Sequence, residues 1–100
     1  MFASTEHIVI AENMYKRLDN LRQRIVAQMK ELRTSDAVVS FSQKNSSEMA
    51  MTFLNAAVAN LDKCVLERDQ KEAYWNPMLK DVFDNLVLAE KNLLTSILGD

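Results

Sequence analysis

The sequence predicts an all-α fold: an antiparallel three-helix bundle, built as a helical hairpin plus a shorter third helix and completed by dimerisation. Three observations point there. Apolar residues recur at steps of three and four in three separate stretches. The chain holds one glycine and one proline, so few positions interrupt a helix. Apolar residues near the start exceed what one buried stripe needs, which asks for a second covered surface.

The first helix is expected over about 5–33. Ser4 or Thr5 can cap it, accepting a hydrogen bond from a free N–H of the first turn, and Glu6 suits the positive end of the helix dipole. Its stripe is Ala11, Met14, Leu18, Leu21, Ile25 and Leu32, an a/d heptad pattern in which Gln28, with Met29 beside it, reads as the edge of a wider stripe or, alternatively, as a single polar d position. Such a helix is about 45 Å long. Residues 35–46 are then expected as a loop, because serine, asparagine and aspartate compete for backbone hydrogen bonds. Ala37, Val38, Val39 and Phe41 imply that this segment is not fully solvated: it either packs across one end of the bundle or forms a short helix capped by Ser35.

Asn45 followed by Glu48 reads as a capping box and sets the second helix at about 47–75. It buries Ala50, Leu54, Ala57, Leu61 and Cys64, flanked by Met51, Phe53, Val58 and Val65. Alanines 50, 56, 57 and 59 permit close approach of a neighbour, and the apolar face fades in the charged run Arg68–Glu72. Asn76-Pro77 predicts a break, since proline at the first helical position with asparagine before it starts a helix at little cost. The third helix, about 77–98, carries Leu79, Val82, Phe83, Leu86, Ala89, Leu93 and Ile97, and closes at Gly99. Residues 1–100 therefore read as a single helical domain.

Composition narrows the function classes. At 48% apolar and 26% charged, the 100-residue chain is ordinary for a folded domain. Six methionines suit an adaptable core or binding surface. The start of the chain lacks the basic region of a signal peptide, and no run reaches the roughly 20 apolar residues of a membrane span. A soluble, cytoplasmic protein without a membrane partner is expected. Catalytic groups are sparse. His7 is the sole histidine and reads as solvated, and Cys64 reads as a small core hydrophobe. No histidine–carboxylate spacing suggests a metal, and Gly99 alone excludes a glycine-rich phosphate loop. No enzyme and no cofactor are expected.

Charge is uneven. Between Lys16 and Arg33 six bases against two acids give +4, whereas Thr34–Asp100 carries −4 and the whole chain −2. The simplest consequence is that basic flanks of the first helix meet acidic flanks of the other two. The alternative is a nucleic-acid face made of Lys16, Arg17, Arg22, Arg24, Lys30 and Arg33, which lacks interleaved aromatics and is the weaker reading. Tyr74 and Trp75, beside the proline, either cap a bundle end against Phe41 or Val39, or anchor a partner. Phe2 and the run Ile8-Val9-Ile10 add apolar surface. The leading expectation is a non-enzymatic protein–protein interaction module, an adaptor, chaperone-like binder or inhibitor, that forms a homodimer. Its candidate contact residues are Tyr74, Trp75, Phe41, Ile8, Ile10 and Met14.

Overall fold

The computed structural model describes residues 5–35, 38–66 and 72–99 and is an all-α bundle of three mutually packed helices. These are α1 (Thr5–Thr34), α2 (Phe41–Leu66) and α3 (Glu72–Leu98). Phe2, the Ser4 cap, Ala37 and most of the Arg68–Glu72 run lie outside the described residues.

The first helix follows its stripe. Ala11, Leu18, Leu21 and Ile25 are buried, while Met14, Met29 and Leu32 sit half-buried along the margin. Ala50, Leu54, Ala57, Leu61 and Cys64 of α2 are fully buried, as expected. Opposite them stand Trp75, Leu79, Val82, Leu86, Ala89 and Leu93 of α3. Small side chains at Ala50, Ala57 and Ala89 let α2 and α3 approach closely, and that pair is the most extensively packed of the three. The molecule measures 55 × 18 × 16 Å, a rod with a core one side chain deep.

Three boundaries differ from expectation. The second helix begins at Phe41, not near 47, because Ser40 supplies the cap. The Gln43 N–H donates to Ser40 Oγ (3.1 Å), and the Ser40 N–H donates to Gln43 Oε1 (3.3 Å). This is a reciprocal capping box one turn upstream of Asn45 and Glu48, which lie inside the helix. The serines that suggested a loop are absorbed: Ser46 and Ser47 are buried, and the Ser47 hydroxyl donates to the Lys44 carbonyl at 2.7 Å.

The second helix also ends earlier, at Leu66 rather than Trp75, and the third starts by Glu72 with Pro77 inside it. The steps Trp75, Leu79, Val82 and Leu86 keep helical phase straight across the proline. Pro77 lies on the exposed side near the helix start, so its missing N–H leaves a single carbonyl, that of Ala73, without an intrahelical donor. Asn76 is therefore not a cap. The third helix, at 27 residues against 26 for α2, is not the shorter one. Gly99 does close it: φ is +73° and its N–H reaches the Thr95 carbonyl at 2.9 Å, the left-handed C-terminal turn that glycine adopts without strain.

Cross-helix bonds give the order of approach. Tyr15 and Arg22 of α1 meet Asp62 and Asn55 of α2, so rising numbers on one helix face falling numbers on the other. Between α1 and α3 the numbers rise together, with His7 at Asn76, Arg17 at Glu90 and Gln28 at Ser96.

Candidate functional site

Two ends and one flank of the rod concentrate the chemistry. At one end, α1 begins beside the end of α2 and the start of α3. His7 is 6% exposed, so it is not the solvated terminal residue expected from its position. Its Nε2 donates to Asn76 Oδ1 at 2.8 Å, and its ring lies 5.8 Å from the Trp75 ring at a 57° tilt. Trp75, 1% exposed, does cap a bundle end, but against His7 and not against Phe41 or Val39. Those two belong to the opposite end, where α2 begins. Tyr74 is half-buried against the core. Tyr15, also half-buried, donates its hydroxyl to Asp62. Burial, followed by this bond to the carboxylate, pushes the phenol from 10.0 up to about 12.

At the other end a polar cluster ties all three helices. Ser96 is fully buried. Its carbonyl accepts from Gln28 Nε2 (3.1 Å) and Gln43 Nε2 (3.2 Å), and its hydroxyl donates to the Gln43 carbonyl (2.9 Å). The polar d position at Gln28 is thus a hydrogen-bonded cross-link between α1 and α3. Beside it runs a groove of about 640 Å³ between the last turns of α1 and the first turns of α2. Val26, Met29, Leu32, Val39 and Phe41 line it, with Arg33, Lys44 and Glu48. Phe41 is 83% exposed at its edge.

The flank lies along α3. Phe83 and Ile97, expected in the core stripe, are 43% and 49% exposed, because a second line runs beside the first. Phe83, Val87, Glu90, Leu94 and Ile97 follow one another in steps of four, three, four and three, a heptad seam. Arg17 of α1 clasps it, donating to Glu90 at 2.6 Å with its guanidinium 5.8 Å from the Phe83 ring centre. Arg24, Val87, Glu90, Lys91 and Leu94 continue the shallow channel between α1 and α3.

The other predicted site residues are dispersed. Ile8 and Ile10 are partly exposed but, two residues apart on a helix, they face different sides, and Met14 packs on the core margin. The basic residues divide likewise. Arg17 and Arg24 flank α3, Arg22 reaches Asn55 of α2 at 3.5 Å, Arg33 lines the Phe41 groove, and Lys16 and Lys30 point to solvent. Among the described residues no His, Cys, Asp and Glu cluster could hold a metal, and no helix is long and apolar enough to cross a membrane. Sequence reasoning missed His7, Asn76, Gln43 and Ser96 as a set. No family model matches this chain, and no curated protein and no solved structure matches it either.

Proposed function

We propose that this chain is a non-enzymatic protein-interaction module, an antiparallel three-helix bundle that pairs with a second copy of itself through the outer seam of α3. One observation carries the reading: the heptad line Phe83, Val87, Glu90, Leu94 and Ile97 lies next to the core stripe, and its apolar members are left half-buried or exposed. A helix with two apolar seams has one more than a three-helix core uses. In a paired seam, Glu90 at the centre and Arg17 beside it give the polar position that fixes register. The reversed numbering between α1 and α2 supports the antiparallel path. The buried Cys64 thiol, the sole cysteine and so in no intrachain disulfide, suits a reducing compartment, and a cytoplasmic location is part of this proposal. The Phe41 groove, apolar with Arg33, Lys44 and Glu48 on its wall and so net basic, then serves a heterologous helix with a mainly acidic flank, which is how an adaptor or inhibitor would use the dimer.

Sedimentation over a roughly hundredfold dilution tests the pairing. The expected mass is twice the 11.4 kDa of one chain, and a double Phe83→Glu, Leu94→Glu variant should sediment as a monomer with unchanged helical circular dichroism. A parent chain that is monomeric throughout removes the self-pairing reading.

A further inference from the structure

We propose that the α3 seam takes its second copy in one antiparallel register, in which Asp84 of each copy meets the partner's Lys91. The inference rests on the self-pairing reading above and adds the direction and register of the partner helix. Spacing sets the frame. Phe83, Glu90 and Ile97 occupy the d positions of the seam, and Val87 and Leu94 the a positions. The flanking position before each a residue falls on Leu86 and Leu93, which are buried in the chain's own core and offer a partner no charge. The flanking position after the first two d residues falls on Asp84 and Lys91, both exposed, and Lys91 lines the channel beside the seam. On α3 itself, then, one edge of the seam carries an acid and a base one heptad apart.

Helix direction decides what that edge faces. In a parallel pair it faces the opposite edge, with Leu86 and Leu93, and the two Glu90 carboxylates share one layer of like charge. In an antiparallel pair a two-fold axis turns the edge onto its own copy, and a residues layer against d residues. Setting Phe83 against the partner's Leu94 brings Glu90 over the partner's Val87, while Glu90 keeps its own Arg17 at 2.6 Å. The same register puts Asp84 beside the partner's Lys91 and, by symmetry, repeats that contact. A slide of one heptad in one direction opposes Lys91 with the partner's Lys91. The reverse slide opposes Asp84 with the partner's Asp84. Opposite charges meet only in the first register, and like charges disfavour its two neighbours. Asp84 already accepts from Lys80 at 2.8 Å, but that pair is exposed, and a carboxylate can accept from more than one cation.

Asp84 and Lys91 lie about 10 Å apart along their own helix, so charge reversal reads their contact between copies. The test measures the dimer dissociation constant of the full chain by sedimentation equilibrium for the parent, Asp84→Lys, Lys91→Glu and the double variant. Helical circular dichroism checks that each one folds. Lys91→Glu is the cleaner single change, because it disturbs no ion pair among the described residues. Each single reversal should weaken the dimer about tenfold, since two-fold symmetry turns it into two like-charge contacts. The double variant should return to within about twofold of the parent, because it restores both opposite-charge contacts. A double variant as weak as the singles overturns the register, as do single reversals without effect. If the parent is still a dimer that Phe83→Glu, Leu94→Glu dissolves, self-pairing through the seam survives that result. A parent that is monomeric at every concentration overturns both.

Discussion

The two ends of the rod solve the same problem differently. Each must close the core where three helices stop, and each buries polar atoms in doing so. The Ser96 end answers polar atoms with polar atoms: Gln28 and Gln43 converge on one carbonyl, and the adjacent helix termini are sealed by the Ser40 cap and by Gly99. The His7 end answers with area. Trp75 closes it by ring packing beside the His7–Asn76 hydrogen bond, and its own N–H meets no acceptor among the described residues. A hydrogen-bonded end is geometrically specified, because each bond fixes a distance and an angle. An end closed by a ring is held more by transfer free energy, which is strong but tolerant of small displacement. The accessible cavity beside Trp75 is consistent with the second kind of closure.

The contrast breaks most sharply at Trp75. Truncation to alanine removes the ring that seals the His7 end and should cost about 3–5 kcal/mol in chemical denaturation, the range for large aromatic losses. Trp75→Phe keeps most of the area and removes the unpaired donor, so it should cost far less. A near-equal cost for the two variants would mean that the indole N–H is satisfied in solution and that the two ends are more alike than described.

Ser96→Ala is the matching change at the other end and the next in size. It adds no cavity larger than an oxygen atom but removes the donor to the Gln43 carbonyl and the acceptor 3.3 Å from Gln28 Nε2. The expected loss is about 1–3 kcal/mol, the consequence of leaving buried partners unpaired. A double-mutant cycle with Gln28→Leu isolates the network: the second change should cost less once Ser96 is gone. Strict additivity would show that Gln28 acts independently of the Ser96 hydroxyl, through the Ser96 carbonyl that the alanine variant keeps and through packing.

What the sequence made legible follows the same division. Stripes were readable, because transfer of apolar surface depends only on local spacing; α1 and the buried faces of Ala50–Cys64 are where periodicity placed them. Phe83 and Ile97 read as core because two seams run side by side on α3, and spacing alone fits each residue to either one. The start of α2 is hard to place because Ser40 with Gln43 and Asn45 with Glu48 present the same motif little more than one turn apart, and the tertiary bonds of Gln43 to Ser96 favour the first. Pro77 reads as the first residue of a helix, the place where proline is most often tolerated, while the phase of Trp75 with Leu79 holds it within α3. The site residues were the least legible. His7 pairs with Asn76 across 69 positions and Gln28 with Ser96 across 68, and no local pattern announces such a partner.

Tyr15 offers the smallest effect and the finest comparison. Its hydroxyl bridges α1 to Asp62 of α2 near the His7 end, and burial, then that bond, raise the phenol to about 12 from 10.0. The folded chain therefore holds this proton more tightly than the unfolded chain does. Below pH 10 both states are protonated and the bond contributes fully. Between pH 10 and 12 the unfolded state releases the proton first, so it binds fewer protons than the native state and stability falls as pH rises. Other titrations in this range are common to parent and variant. The informative quantity is thus the difference between the parent and Tyr15→Phe, measured as urea midpoints on either side of pH 10. The parent should lose its advantage over Tyr15→Phe across that window. Parallel declines would place the Tyr15 hydroxyl in water, so that ring packing around Trp75 and the His7–Asn76 bond, not the Tyr15 bridge, join the helices at this end of the rod.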